Sequence, residues 1–499
     1  MEQVTEKKGI KVLMVYPNPT HDNLIPAGMS ILSACLKRAG HNVKAFDTTF
    51  YESDRMDGEK LRERTLQVIP TNLEELGIKI IKGDYVGDFR KMVEEYQPDL
   101  IGLSVTELSY RQGIELLNGI KDIKIPKIMG GVHATFSPEE VIAEDGVDII
   151  CLGEGENALV ELANRIRDGK DYSDVLNLWV KKDGEVIKNP VGPLINLDSL
   201  PVQDWEIWDE KRRYKPFVGG VVSTASIETS RGCWKNCAYC CNPMSQQMYA
   251  DAGHGSFHRA KSPEKVIEEV RFLKDNYRIE FIKFCDPDFM TRGREDFKKL
   301  VELYQDLKIR FWAETTVEKV TPDRIEGLEK MNCAGIALGI ESGNEFIRNE
   351  VMNKKTAKDS IVRAFGLLKN TKMRVVANII IGSPFETRES IFDSIKLMIE
   401  LGINRPIINV FSPYRGTKLH QTCVDEGYMH PEALAGDYRG ECVLNMPQLP
   451  AKEIEGLQRT FLLYVRFSKE KWPEIQRAEQ DDEMFEKLAE EYAVKYPKR

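Results

Sequence analysis

Cys233-Trp-Lys-Asn-Cys237-Ala-Tyr-Cys240 follows directly on an apolar, β-rich run at 225–229, in a loop that also carries Gly232 and Asn236. Three thiolates at these spacings can each hold one iron of a cubane cluster, and the fourth iron is then left without a protein ligand. An iron with an open coordination position is a reaction site. Cys241 stands too close to Cys240 to reach the same cubane in place of a regularly spaced fourth ligand. The competing reading is a zinc knuckle, which wants a fourth Cys or His, and His254 and His258 lie downstream. Ten cysteines in 499 residues are too sparse for a disulfide scaffold, and four of them fall between residues 233 and 241. Cys35, Cys151 and Cys333 sit in apolar contexts, where a buried thiol is the ordinary reading.

Downstream of the motif, short apolar runs alternate with amphipathic stretches. Strands are expected at 225–229, 280–284, 310–314, 335–340, 374–382 and 407–411, with helices such as 263–275 and 355–369 between them. That series suits an open or partial α/β barrel with the cysteines at its first strand end. Upstream, strands at 11–16, 42–46, 100–105, 127–129 and 147–151 alternate with helical stretches such as 29–39, which Gly40 stops. They describe a doubly wound α/β domain, interrupted by a charged helical insertion at about 52–90. The expected organisation is a doubly wound domain over 1–185, a linker over 186–221 within a Pro-, Asp- and Trp-rich stretch, a barrel over 222–425 and a helical cap over 426–499. A chain of this length is too long for one core.

Composition narrows the function classes. With 70 basic against 79 acidic residues the net charge is -9, which gives no general attraction to nucleic acid or anionic lipid. A mean hydropathy of -0.38, and the lack of any apolar run approaching the roughly 20 residues of a spanning helix, argue against membrane residence. The polar N-terminus lacks the apolar core of a secretory signal, so a cytoplasmic protein is expected; separately, it is expected to be a monomer. In a doubly wound domain ligands bind beyond the C-terminal strand ends, and there Gly130-Gly131-Val-His133 and Gly153-Glu154-Gly155 offer close backbone approach and free amides at helix starts. On residues alone these loops suit any nucleotide-like tail.

Taken together, residues 222–420 resemble the radical S-adenosylmethionine superfamily, and the whole chain resembles its cobalamin-dependent (class B) methyltransferase branch, with a B12-binding domain before the radical core. The resemblance implies a [4Fe–4S] cluster on Cys233, Cys237 and Cys240 that chelates S-adenosylmethionine. It sets Tyr239 beside the adenine, Glu341 or Ser342 at the ribose, and the fifth-strand residues Asn378, Ile380 and Gly382 at the adenine. Asp286 or Asp288 would lie near the cofactor, although Phe284-Cys-Asp-Pro-Asp-Phe289 departs from the Gly-Gly-Glu form of other branches. Glu314 would contact the same ligand as that segment. Tyr414, in a segment that ends the sixth strand in the family manner, would serve as a proton acceptor. In the N-terminal domain the resemblance points to Ser104, Thr106, Leu108, Gly130, Gly131, His133, Gly153, Glu154 and Gly155 for cobalamin. No Asp-x-His-x-x-Gly occurs, so the cobalamin is expected base-off, without a histidine ligand on cobalt.

The implied activity is methylation of an unactivated carbon of a peptide, protein or small molecule, fed by a reductant such as ferredoxin or flavodoxin. Alternatives are a cobalamin-dependent radical cyclase or oxidase of the tetrapyrrole type, or a methylthiotransferase. The latter usually has a second three-cysteine cluster where this N-terminal domain has only Cys35 and Cys151. A cobalamin-binding sensor with a structural metal site is the non-enzyme reading.

Overall fold

The computed structural model describes residues 8–53, 58–68, 77–217 and 220–496. Parts of the expected insertion, 54–57 and 69–76, lie outside the described residues. Among the described residues two seven-stranded sheets carry the fold. The first runs β2-β1-β3-β4-β5-β6-β7, from β1 (Lys11–Tyr16), β2 (Asn42–Asp47), β3 (Leu100–Ser104), β4 (Lys127–Gly130), β5 (Ile149–Cys151), β6 (Leu178–Lys182) and β7 (Glu185–Lys188). Strands β1 to β5 are parallel, and β6 and β7 add an antiparallel hairpin at the edge.

Val12, Leu13, Met14 and Val15 are all buried, as a strand covered by helices on both faces requires. The strand order reverses between β1 and β3, so the loops after β1 and β3 open the crevice in which such sheets take ligands. All five strands expected here are present within a residue or two. The β6–β7 hairpin was not expected; it turns at Asp183 and Gly184, both with positive φ, and runs past residue 185 to Lys188. The Pro- and Trp-rich stretch then lies along this unit. Its Arg212, fully buried, donates to Asp47 at 2.6 Å and to the Leu24 carbonyl at 2.5 Å, and sits over the rings of Tyr16 and Trp208.

The second sheet runs β16-β15-β14-β13-β12-β9-β8. After β8 (Tyr214–Phe217) come β9 (Gly220–Ile227), the short β10 (Ser230–Arg231) and β11 (Arg259–Ala260), which pair with each other, then β12 (Phe281–Phe284), β13 (Arg310–Thr315), β14 (Cys333–Glu341), β15 (Arg374–Ile381) and β16 (Ile407–Val410). β9 and β12 to β16 are all parallel and lie in chain order, the partial (β/α)6 barrel expected. Their intervening helices start where local chemistry dictates. Ser262 accepts the Lys265 amide ahead of Pro263–Tyr277, and Thr387 and Ser390 form a reciprocal cap on Arg388–Leu401.

One face of this sheet is apolar and buried; Phe284, Phe289, Tyr304 and Phe311 pack there with ring centroids 4.7 to 6.2 Å apart. The opposite face is half-exposed and mixed: Lys283 pairs in register with Trp312, Glu314 with Ala337, and Gly339 with Asn378.

Beyond β16 the strands stop, and helices Ala451–Arg466, Trp472–Ala478 and Asp482–Lys495 form the expected helical C-terminus. Gln458 ties the first of them to the Ile408 carbonyl at 3.0 Å, and Arg388 joins Glu479 at 2.6 Å and Glu453 at 3.0 Å. The chain divides into two compact units that exchange segments: 1–55, 73–214 and 244–257 make one, and 56–72, 215–243 and 258–499 the other. In the second unit Gln67 both donates to and accepts from the Ile408 backbone, covering the free edge of β16.

Candidate functional site

The three cysteines follow the C-terminal end of β9, on a loop held from several sides. The Ala238 amide donates to the Met352 carbonyl at 2.9 Å, Asn353 donates to the Asn236 carbonyl at 2.6 Å, and the Leu419 amide donates to the Ala238 carbonyl at 3.0 Å. The buried ammonium of Lys235 donates to Glu318 at 2.6 Å, to the Lys354 carbonyl at 3.0 Å and to Thr356 at 3.2 Å. Donors already face the sulfurs: the Lys235 amide stands 3.5 Å from Cys233 Sγ, and Asn242 Nδ2 stands 3.4 Å from Cys240 Sγ. Such contacts stabilise thiolates bound to an iron–sulfur cluster.

The hydrogen bond from the Cys241 thiol, aided by Asn242, pushes the Cys240 thiol down. Burial pushes Cys237 up to about 11 and raises Cys233 as well, so metal must displace their protons. All three are free thiols. Among the described residues no three His, Cys, Asp or Glu side chains form a site for a single metal ion. A cubane asks for something else, a separate iron for each sulfur, and three soft thiolates on one pinned loop fit it.

Beside the loop, Lys354 donates to Glu341 at 2.6 Å and stands 3.5 Å from the Tyr239 hydroxyl. Burial works against this ammonium, yet the charges of Glu341 and Cys237 leave its pKa raised; burial raises Tyr239 too. Glu341 has a φ of 70° at the end of β14, where a bulge interrupts the pairing with β15. Gly339 is tightly cradled here: a Cβ would stand 2.3 Å from the Glu341 carboxylate and 2.7 Å from Lys354 Nζ. Neighbouring Ser342 is fully buried, and its carbonyl accepts from Arg348 at 2.7 Å. The structure therefore brings Cys237, Tyr239, Glu341 and Ser342 into one neighbourhood. The residue that sequence reasoning missed is Lys354. It follows a π-helical turn, Ile347–Val351, of the kind often found at functional sites, and no spacing rule forecasts such a turn.

The other barrel residues divide. Asn378 and Ile380 are half-buried on the mixed face of β15, and Glu314 is half-buried on the same face of β13. Gly382 follows β15, its amide donating to Glu386 at 2.6 Å; burial holds that carboxyl up at about 8 against the two backbone donors of Gly382 and Ser383. Asp286 and Asp288 are committed to the protein itself. Asp286 accepts from Thr229 at 2.7 Å and from Ser230, while Asp288 accepts from Thr315 at 2.5 Å, Thr316 at 3.0 Å and the Trp234 indole at 2.7 Å. Tyr414 lies half-buried in the turn after β16, its carbonyl accepting from Thr417.

In the first unit the loops after β3, β4 and β5 are adjacent, because β3–β4 and β4–β5 pair in register. Ser104 ends β3, Thr106 is exposed beyond it, and Leu108 is half-buried. Gly130 pairs with Ser104, and Gly131, with a φ of 97°, lies so near Val105 that a Cβ would stand 2.4 Å from its carbonyl oxygen. His133 is not presented at the rim: it is buried, its ring 4.3 Å from that of Tyr110 and its Nε2 3.8 Å from Glu140. The Gly153 amide donates to Thr135, the Glu154 amide donates to the Tyr249 hydroxyl, and Gly155 precedes helix Glu156–Asp168. A backbone cradle of this kind, at the strand ends next to the switch point, fits a large cofactor with a nucleotide tail.

The comparisons agree with both halves. Residues 227–398 match the model of the radical SAM superfamily, and residues 19–163 match the B12 binding domain. A methyltransferase of Pyrococcus horikoshii, itself uncharacterised, is 29% identical over 360 residues, covering 70% of this chain and 76% of that protein. The cytidylyl-2-hydroxyethylphosphonate methyltransferase of Streptomyces wedmorensis is 22% identical over 502 residues, covering 90% of this chain and 89% of its own. Among solved structures, the radical S-adenosylmethionine methyltransferase TsrM of Kitasatospora setae, with cobalamin and a [4Fe–4S] cluster bound, superposes with a TM-score of 0.67 at 14% identity, covering 97% of this chain and all of that one. The chain thus joins a B12 binding domain to a radical SAM domain, the organisation of the cobalamin-dependent radical S-adenosylmethionine methyltransferases it is similar to, and with these domains come a [4Fe–4S] cluster, S-adenosylmethionine and cobalamin as cofactors.

Proposed function

We propose that the chain methylates an unactivated carbon of a peptide, protein or small-molecule substrate. The observation that carries this reading is the pinned loop of Cys233, Cys237 and Cys240, three thiols with hydrogen-bond donors already facing two of them. When bound, the cluster supplies reductive cleavage of S-adenosylmethionine and the cobalamin supplies the methyl group, with electrons from a reductant such as ferredoxin or flavodoxin.

The chain's own residues hold and orient. Tyr239, Glu341 and Ser342, with Lys354 between the first two, shape one side of the S-adenosylmethionine site, and Asn378 and Ile380 of β15, with Gly382 just after it, shape the adenine side. Glu314 is the better carboxylate for the methionyl amine, since it is half-exposed while Asp286 and Asp288 are spent on fixing the β9 and β13 ends. Tyr414 stands at the end of β16 as a proton acceptor for heteroatom substrates. In the domain over 1–185, the backbone of Ser104, Thr106, Leu108, Gly130, Gly131 and Gly153–Gly155 cradles base-off cobalamin, with His133 acting from beneath as packing.

Anaerobic reconstitution tests the reading. The wild-type protein is expected to bind iron, sulfide and corrinoid, to release 5′-deoxyadenosine on reduction with S-adenosylmethionine, and to add 14 mass units to a substrate in extracts of the source cell. Cys233→Ala, Cys237→Ala and Cys240→Ala should each lose the cluster signal while keeping corrinoid. Release of 5′-deoxyadenosine without any methylated product would turn the reading toward a cyclase, and no cleavage at all would end it.

A further inference from the structure

The segment Cys285-Asp-Pro-Asp288 leaves β12 with two buried carboxylates, and what they hold lies on either side of Cys233 in the chain. Upstream of that cysteine, Asp286 accepts the Thr229 hydroxyl at 2.7 Å, the Thr229 amide at 3.2 Å and the Ser230 hydroxyl. Downstream, Asp288 accepts the indole N–H of Trp234, the residue next to Cys233, at 2.7 Å. Pro287 restricts the backbone between the two. The Cys285 amide donates to the Ile227 carbonyl at 2.9 Å, so the segment is fastened to the end of β9 itself. All of these residues belong to the second unit.

Asp288 is fixed independently of the cysteine loop. It is only 1% exposed, and its carboxylate also accepts the hydroxyls of Thr315 at 2.5 Å and Thr316 at 3.0 Å, from the end of β13. Trp234 is 42% exposed, and exposed side chains ordinarily change rotamer within nanoseconds. This one is gripped: its N–H sits on Asp288, and the ammoniums of Lys235 and Lys319 stand over its ring at 4.7 and 4.8 Å. On the other side of Cys233 is Gly232, with a φ of 81° and no side chain to hold. The remaining ties of the loop fall further on, at Lys235, Asn236 and Ala238. Trp234 is therefore the anchored side chain adjacent to Cys233, and Asp288 is its anchor.

We propose that Asp288 is a positioning residue for the first cluster ligand: through the Trp234 indole it fixes where the Cys233 sulfur stands relative to those of Cys237 and Cys240. This role rests on the reading of the three cysteines as cluster ligands. A ligand held in place before the metal arrives leaves the loop little ordering to do on binding. Were Asp288 only a brace for the end of β13, its loss would lower the stability of the fold and leave a bound cluster unchanged.

The test uses the full chain reconstituted anaerobically with iron and sulfide, as wild type, Trp234→Phe, Asp288→Ala and the exposed control Glu295→Gln. Trp234→Phe removes the N–H donor and keeps an aromatic ring, while Asp288→Ala removes the acceptor. Three quantities are read: the rate at which a ferrous chelator strips the cluster, the EPR g values of the reduced cluster, and thermal unfolding of the apo protein. The chelator reaches iron when the loop opens, so its rate follows the balance between open and closed loop. A hydrogen bond to a charged acceptor shifts such a balance roughly tenfold or more. Both variants should take up the cluster, lose it about tenfold faster than wild type and show altered g values, and Glu295→Gln should match wild type. A change in only one of the two variants, or in neither, overturns the proposal whatever happens to the melting temperature, and leaves the proposed function standing. Should Asp288→Ala fail to fold, Trp234→Phe decides alone. A wild type that takes up no cluster overturns the proposed function and this role with it.

Discussion

Lys354→Met removes one partner of an ion pair that lies almost wholly out of water. The Lys354 and Glu341 side chains are 7% and 9% exposed, with Nζ 2.6 Å from the carboxylate. Breaking a buried pair from one side leaves an uncompensated charge and costs about 3–5 kcal/mol, whereas replacing both partners by apolar groups of similar volume is often neutral. The penalty should fall on the end of β14, because Glu341 is its last residue. Amide hydrogen exchange of the apo protein, read by mass spectrometry on peptides covering 333–356, measures it locally. The expected result is exchange faster by roughly two to four decades in Lys354→Met and a return to within about one decade of wild type in the double variant Lys354→Met/Glu341→Met. Exchange changed by less than about fivefold in the single variant, or no recovery in the double, would refute the claim that this pair holds the strand end.

Arg212→Met should destabilise the first unit by about 3–5 kcal/mol, seen as lost exchange protection in β1 and β2, since Arg212 is the buried partner of Asp47; unchanged protection would contradict its role. Asp288→Asn puts an amide donor against the three donors of Trp234, Thr315 and Thr316, and a cost of about 1–3 kcal/mol should accompany a changed Trp234 fluorescence spectrum. Glu386 gives a pH signature. Its carboxyl is raised from an ordinary 4.5 to about 8 by burial, so between those values the folded state holds a proton that the unfolded state has released. Its contribution is full below about pH 4.5 and is lost as pH rises toward 8. Thermal unfolding from pH 5.5 to 8.5 should therefore show Glu386→Gln close to wild type at the acid end and more stable at the alkaline end; parallel curves would dismiss the buried proton.

The strands of both sheets were legible because each is a short apolar run whose two faces, or one, must be buried: Val12–Val15 and Ile379–Ile381 announce themselves. The hairpin at 178–188 was equally legible in principle, since Asp183-Gly184 is a strong turn signal, but its charged flanks, Lys181-Lys182 and Glu185, hid an edge strand. At the site, the cysteines stand out by their spacing and Tyr239 by the resemblance they carry, while nothing in one dimension points to Lys354. Its position depends on a π-helical turn and on a long-range contact with Glu341 that leaves no periodic trace. Asp286 and Asp288 teach the converse: carboxylates at a strand end look like ligand groups in one dimension, and here the hydroxyls of Thr229, Ser230, Thr315 and Thr316 claim them. His133 likewise sits in a loop motif yet points into packing against Tyr110.

The exchange of segments between the two units has a practical corollary for anyone dissecting the protein. Scission at residue 221 would strand Gln67 on the wrong fragment, leaving the Ile408 amide at the rim of β16 without its acceptor, and would strip Glu154 of its acceptor by taking Tyr249 away. Neither half so produced is a faithful miniature of its parent; each would be expected to clump or swap with its neighbours until the missing strap is supplied in trans.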